Sequence, residues 1–377
     1  MRRCDALVVG GGPAGATAAI LLARAGRSVV VLEKAAFPRR KVCGEFIAAA
    51  GIERLRRLGL GERVEALAGP EIRRVAVWLG ESQVEAPLPR PPWWRGRGGP
   101  YPRALERAAL DALLLAHAQE CGAEVLQPAI ALKLKRVPDG LVCEAAARRG
   151  GAPFEVHARA VIAAHGSWEP GVLATQPPHL APAPDDLLAF KAHFRGRLPS
   201  HAIVLAPFPG GYAGLVEGGG GRVTYACCVR RDALERVRRA GTPAGDCLFR
   251  FRGFTRETPW LAAGPLRPGR RPLYREGVFA IGNAAGEPHS VVGEGITMAM
   301  HSAALLCGPL AQALASGYSR RAERAVAGAY AWRWRRDLAF KLWASARLAA
   351  LAMQPSALSG RLLARAPAML TFAARMK

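Results

Sequence analysis

The strongest constraint on this chain lies in its first 33 residues. A short apolar strand, Ala6-Leu-Val-Val9, runs into Gly10-Gly-Gly12-Pro13-Ala14-Gly15, and a helix rich in alanine follows as far as Gly26. In such a turn the first glycine permits the sharp bend, the second lets the backbone approach a pyrophosphate, and the third lets helix and strand pack closely. The helix then aims its free N–H groups at the phosphates. A second strand, Ser28-Val-Val-Val-Leu32, ends in Glu33, a carboxylate 18 residues beyond Gly15. There it is placed to accept hydrogen bonds from both ribose hydroxyls of an adenosine and to repel a 2′-phosphate. A dinucleotide such as FAD or NAD is expected in preference to NADP.

The chain has 377 residues and a formal charge of +24, which raises nucleic acid or an anionic membrane as a partner. Only seven of its 53 basic residues are lysine, the arginines are spread along the chain, and no nucleic-acid motif accompanies them, so no nucleic-acid partner is expected. The eight cysteines include no C-x-x-C pair and no metal-ligand spacing, so a reducing compartment and no metal are expected. Because the first strand begins within a few residues of Met1, a cytoplasmic setting without a signal peptide is the expectation. The apolar stretch from Ile296 to Ala315 is broken by His301, Gly308 and Pro309, and reads as a buried core helix.

The fold class expected is α/β: a Rossmann-like nucleotide domain with an inserted antiparallel sheet and C-terminal helices. Residues 1–70, 101–170 and 271–318 read as the three parts of the nucleotide domain. Residues 71–100 read as strands and a loop of the substrate half, 171–270 as the inserted sheet, and 319–377 as a helical C-terminal region. A helix is expected from Arg103 to about Gly122, and a hairpin at Pro138-Asp-Gly140.

A second constellation lies about 270 residues after the first. The strand Gly277-Val-Phe-Ala-Ile281 leads into Gly282-Asn283-Ala-Ala-Gly286, and Gly293-Glu-Gly295 opens a helix at Ile296. With the first motif, this resembles the FAD-dependent oxidoreductases of the p-hydroxybenzoate hydroxylase fold, and within them the geranylgeranyl reductase-like branch. The resemblance implies that Gly282, Asn283, Gly293, Gly295 and Ile296 face the flavin, the helix N-terminus stabilising negative charge on the reduced ring. Lys41, Cys43 and Gly44 resemble the branch's K-x-C-G segment beside the flavin, with Arg40 and Lys41 near phosphate or flavin and Lys34 a further cofactor-binding residue. Arg107, in Arg107-Ala-Ala-Leu-Asp111, resembles an arginine that reaches the cofactor.

Departures from the branch carry information too. Asn283 and His165 each stand where an aspartate is usual, and Ser290 where a proline is common. Tyr212-Ala-Gly214-Leu-Val216 lacks the Trp and Phe-Pro of the reductases' Tyr-x-Trp-x-Phe-Pro motif, which weighs against isoprenoid reduction, and it lacks the Trp-x-Trp of the halogenases. Cys43 and His289 are the candidate catalytic side chains, and Tyr212 is the candidate substrate-pocket residue. No second G-x-G-x-x-G is present, so electrons are expected from NAD(P)H docking transiently at the flavin or from a partner protein. The expectation is a flavin monooxygenase acting on a small apolar or aromatic molecule. The alternatives are a double-bond reductase and, in another class, a basic scaffold with structural FAD. In the tail, Trp332, Leu338, Phe340 and Trp343 lie among arginines at near-helical spacing, which fits either a roof over the pocket or peripheral contact with an anionic membrane.

Overall fold

The computed structural model describes residues 2–79, 82–88, 99–147, 151–166, 171–176, 181–239 and 253–354. Five parallel strands form the centre of the first sheet, in the order Val278–Ala280, Phe154–Ala163, Arg2–Val9, Val29–Leu32, Glu124–Leu126. These segments are apolar on both faces because both faces are covered. Ala6, Val8, Val29, Val31, Ala160 and Ile162 pack under the helices, while Leu7, Val30, Leu32, Val161 and Ala163 pack under the antiparallel hairpin Ala129–Val137/Gly140–Ala147. That hairpin turns at Pro138-Asp-Gly140, as expected. Val9 pairs with both Leu32 and Ala163, so the carboxyl ends of the three inner strands align along one edge.

On the helical face the first helix, Pro13–Arg24, packs between the Arg107–Glu120 helix and the apolar helix Gly295–Ala315. The last of these is long and apolar enough to cross a membrane by length and composition. Here its Met300, Ala303, Leu306 and Leu310 are fully buried in the core. The Arg107–Glu120 helix begins four residues later than the sequence suggests. Arg103–Ala104 instead forms a two-residue ladder with Phe46–Ile47, and this strap joins the two halves of the molecule.

The second sheet is antiparallel but for one pair. Its order is Thr255–Arg256, Leu187–Arg195, Arg222–Arg230, Gly211–Glu217, Ala202–Phe208, Arg74–Leu79, Ser82–Pro87, and Leu261–Leu266 adds to Leu187–Arg195. Only Ala202–Phe208 and Arg74–Leu79 run parallel. Strand alternation divides its side chains. Phe190, Phe194, Phe208, Tyr225 and Trp260 pack on the outer face, where Tyr225 and Trp260 meet edge to face at 5.7 Å. The inner face carries Ala189, Leu205, Tyr212, Gly214, Val216, Ala226 and Cys228 and roofs a cavity above the strand ends. The C-terminal helix is a single element, Arg320–Ala352, whose Trp334, Leu338 and Leu342 are buried. Residues 355–377 of the expected helical C-terminal region lie outside the described residues, as do 89–98 of the expected strand-and-loop stretch.

Candidate functional site

One cavity of about 590 Å³ lies between the parallel strand ends and the roof sheet. Its floor is made by the glycine turn. Gly10, at φ +112°, occupies backbone space that a side chain rarely adopts, and a Cβ there would lie 2.5 Å from the Ala164 carbonyl oxygen. At Gly15 a Cβ would fall 1.8 Å from the Gly10 carbonyl oxygen, so only hydrogen fits. Gly12 is different, because a Cβ there would meet only Arg107 Nη2, at 3.9 Å. Gly10 and Gly15 are thus held by packing and Gly12 opens onto the cavity.

The helix starting at Pro13 has no acidic residue in its first turn, and neither has the helix starting at Gly295, where a Cβ would meet nothing within 4 Å. Both helix N-termini reach the cavity, Pro13 and Ala14 on one side, Gly293, Gly295 and Ile296 on the other, and the cap residue of the second, buried Glu294, is held by Lys341 at 3.2 Å. Gly282, at φ +61°, brings the two motifs together, since a Cβ there would lie 2.8 Å from that of Ala14.

Charged side chains complete the floor. Glu33 is 3% exposed and accepts hydrogen bonds from the backbone N–H of Gly11 at 2.8 Å and of Ala35 at 2.9 Å. The carboxylate therefore also fixes the glycine turn, a role that its spacing did not reveal. Arg107 is buried and bidentate to Asp111, at 2.9 and 2.7 Å. Burial disfavours its cation, but Asp111 and Cys43 beside it hold the pKa above the ordinary value. Lys34 and Lys41 line the same wall, and burial with Arg107 and Arg39 nearby pushes the Lys41 pKa down to about 8. The Asn283 side-chain amide donates to Glu287 at 3.1 Å, and its backbone carbonyl accepts from Arg271 at 2.9 Å.

Cys43 and Gly44 line the cavity between floor and roof, and the Cys43 sulfur accepts the Glu45 backbone N–H at 3.3 Å. Tyr212 lines the roof end. It is 4% exposed, its hydroxyl makes no hydrogen bond of normal geometry, and burial with Cys228 alongside raises its pKa well above the ordinary value. His289 does not line the cavity, although Pro288 and Ser290 do. Its backbone N–H donates to Ser345 of the C-terminal helix at 3.1 Å, and burial pushes its ring pKa down to about 4. His165, in contrast, lines the cavity with neither ring nitrogen in a hydrogen bond of normal geometry, and burial with Arg271, Lys34 and Lys41 nearby takes its pKa to about 4.

The residue that sequence reasoning missed is Glu45. It holds φ +61°, a backbone region unusual for a side-chain-bearing residue, and is 2% exposed. Its carboxylate accepts from the Arg107 backbone N–H at 2.8 Å, Thr224 at 2.5 Å, His193 at 3.2 Å and the Lys191 ammonium. Burial alone would raise its pKa, yet His193 and Lys191 hold it at about 2. Lys191, His193 and Thr224 belong to the roof, so this cluster clamps the roof onto the segment between Cys43 and the Phe46–Ile47 strand and onto the start of the Arg107–Glu120 helix. The available signal was Lys191 and His193, two polar residues on one face of an otherwise apolar strand.

An open pyrophosphate cradle at Gly12, two helix N-termini at the cavity and a wall of Lys34, Lys41 and Arg107 fit an FAD. These features define a flavin-dependent oxidoreductase, and a family described as FAD binding domain matches residues 3–174. Digeranylgeranylglycerophospholipid reductase 2 of Methanopyrus kandleri is 30% identical over 331 residues, covering 83% of this chain and 76% of that protein. The chain belongs to the FAD-dependent oxidoreductases of the p-hydroxybenzoate hydroxylase fold, in the geranylgeranyl reductase-like branch. Menaquinone reductase of Mycobacterium tuberculosis is 34% identical over 166 residues, 44% of this chain and 38% of that protein. The chain thus aligns with well under half of that relative. Among solved structures, the geranylgeranyl bacteriochlorophyll reductase-like protein of Thermoplasma acidophilum superposes with a TM-score of 0.78 at 19% identity, covering 98% of this chain and 92% of that one. The fold is shared at that level.

Proposed function

We propose that this flavoenzyme reduces a carbon–carbon double bond of an apolar, lipid-like molecule with electrons from NAD(P)H. The observation that carries this reading is the roof. Opposite the charged floor it presents Ile203, Leu205, Val216 and Leu261 around Gly214, with no charged side chain of its own lining the cavity. The Methanopyrus reductase matches through this roof as well as the floor, whereas squalene epoxidase of Schizosaccharomyces pombe matches over only 26% of the chain. Bound FAD supplies hydride transfer in such a site. The chain's own residues then have three tasks. Gly12, Arg107 and the two helix ends hold the anionic cofactor. The roof excludes water. The buried Tyr212 hydroxyl, with Cys228 and Ser290 beside it, and the Cys43 thiol are proton-bearing groups along the cavity wall.

Hydroxylation is the second reading, favoured by the absence of the reductases' aromatic residues at Gly214 and Val216. The two separate on oxygen. Reduced enzyme turning over an apolar alkene without air supports reduction, whereas oxygen consumed in step with product, and no anaerobic turnover, supports hydroxylation. Holoprotein that no nicotinamide or artificial donor can reduce would instead support the scaffold reading. The seven cysteines among the described residues are all free, which supports a reducing, cytoplasmic setting.

A further inference from the structure

The C-terminal helix has two opposed faces. Trp334, Leu338 and Leu342 are buried against the body of the protein. On the other side Trp332, Arg336, Phe340, Trp343, Arg347 and Leu351 recur at intervals of three and four, which aligns them along one stripe of an α-helix. The apolar members are among the most exposed large side chains of the described residues: Trp332 61%, Phe340 54%, Trp343 54% and Leu351 72%.

They are ordered against one another. Arg336 lies over the Trp332 ring at 4.8 Å, Arg347 over Trp343 at 5.6 Å, and Phe340 stacks on Trp343 at 5.7 Å. Arg333 and Arg335 flank the stripe, exposed. The nearest carboxylate on the helix, Asp337, is already held by Arg336 at 2.6 Å and His301 at 3.1 Å.

We propose that this stripe docks the enzyme on the surface of an anionic lipid bilayer. Indole and phenyl rings settle at the depth of the headgroups, and arginine stems lie along apolar surface while their guanidinium groups reach phosphate, so the two residue types alternating along one face match that interface. The charge argues against a second copy of the chain, which would bring arginine against arginine. The rings argue against nucleic acid as the main partner, because a phosphate backbone has no use for Leu351. The helix's other side leads into the site. Gly210 donates its N–H to the Met353 carbonyl at 2.9 Å, and Ala349 packs in the cluster that holds Tyr212. On the reading proposed above, a bilayer-dissolved substrate would meet the cavity from this side.

The test is sedimentation of the FAD-loaded full chain with vesicles of phosphatidylcholine alone and of phosphatidylcholine with phosphatidylglycerol, so surface and reaction are judged separately. Wild type is expected to pellet with the anionic vesicles. Charge reversal at Arg333 and Arg347 should weaken binding by well over fivefold per arginine. The Trp332→Ala/Phe340→Ala/Trp343→Ala variant should lose at least tenfold while keeping its flavin spectrum and melting temperature. Binding unchanged in that variant would overturn the proposal, as would wild type ignoring both vesicle types. Loss of a dimer by the triple variant would assign the stripe to self-association, and binding of duplex DNA unaffected by the aromatic changes would assign it to nucleic acid. Either result overturns the bilayer.

Discussion

The floor and the roof of the cavity hold their occupants in different ways. The floor works through backbone: glycines where a Cβ cannot fit, two helix N-termini and a turn pinned by Glu33. The roof works through side chains that alternate across a sheet, an aromatic cluster outside and mostly aliphatic side chains with Tyr212 lining the cavity inside. A backbone site tolerates almost no substitution, because the added atoms displace the chain itself. A side-chain site on a rigid sheet can be recut one residue at a time. Cofactor choice is therefore fixed in this architecture, while substrate choice is adjustable.

The most severe way to break this contrast is within the floor itself. Gly15→Ala places a methyl 1.8 Å from the Gly10 carbonyl oxygen, so the turn must open, and soluble, flavin-containing protein is not expected. Gly12→Val should fold with near wild-type circular dichroism yet elute colourless, since its side chain meets only Arg107 and fills the cradle. Gly12→Val protein that retains full FAD would show that the pyrophosphate does not lie there.

Next in size is the clamp between the two regions. Glu45→Gln leaves the Lys191 ammonium buried without its anion, and removing one partner of such a pair costs about 3–5 kcal/mol. Glu45→Gln/Lys191→Met should recover part of that loss in urea titrations. If the single variant is as stable as wild type, the clamp contributes nothing and the roof is held by its apolar contacts alone.

The motifs that make the floor were legible because each is contiguous: a strand, a glycine turn and a helix within one short segment. The clamp was not, because Glu45 and Lys191 are 146 positions apart and only strand register brings Lys191, His193 and Thr224 to one face. The sequence pointed to Cys43, Tyr212 and His289 at the site; Cys43 and Tyr212 line the cavity and His289 does not, since a loop's direction depends on the helix that later packs on it. The tail was read as either roof or membrane contact. One face of the described helix is buried against the body of the protein, yet none of its residues lines the cavity, so the cavity's roof is the second sheet and the helix's exposed face is left to the proposal above.

A smaller effect sharpens the comparison through pH, with one histidine in the floor and one outside the cavity. Burial holds both His165 and His289 at a pKa of about 4, against an ordinary value of 6.5. Between about pH 6.5 and 4 the unfolded chain binds protons that the folded chain refuses, so stability falls as pH drops, by up to about 1.4 kcal/mol per pH unit for each ring. His289→Gln should remove about half of that slope in denaturation midpoints. His165→Gln should remove the other half and also change FAD affinity, because only His165 lines the cavity. Equal effects of both variants on FAD would erase the distinction between the two positions.

The smallest stability effect carries the most information about substrate. Gly214 sits between Leu205 and Ala226 on the roof's inner face, and a Cβ added there meets nothing within 4 Å. Its φ lies outside the left-handed region, so a side chain brings no backbone strain. Gly214→Ala and Gly214→Phe should therefore stay within about 0.5 kcal/mol of wild type and keep their FAD. What changes is the room above the flavin site: the phenyl ring takes back space that the glycine leaves open, and bulky substrates should lose kcat/KM while slim linear ones keep it. Gly12→Val is expected to behave in the opposite way, losing cofactor whatever the substrate. If Gly214→Phe instead sheds FAD, floor and roof are not separable, and substrate choice in this enzyme is tied to the cofactor's own seat.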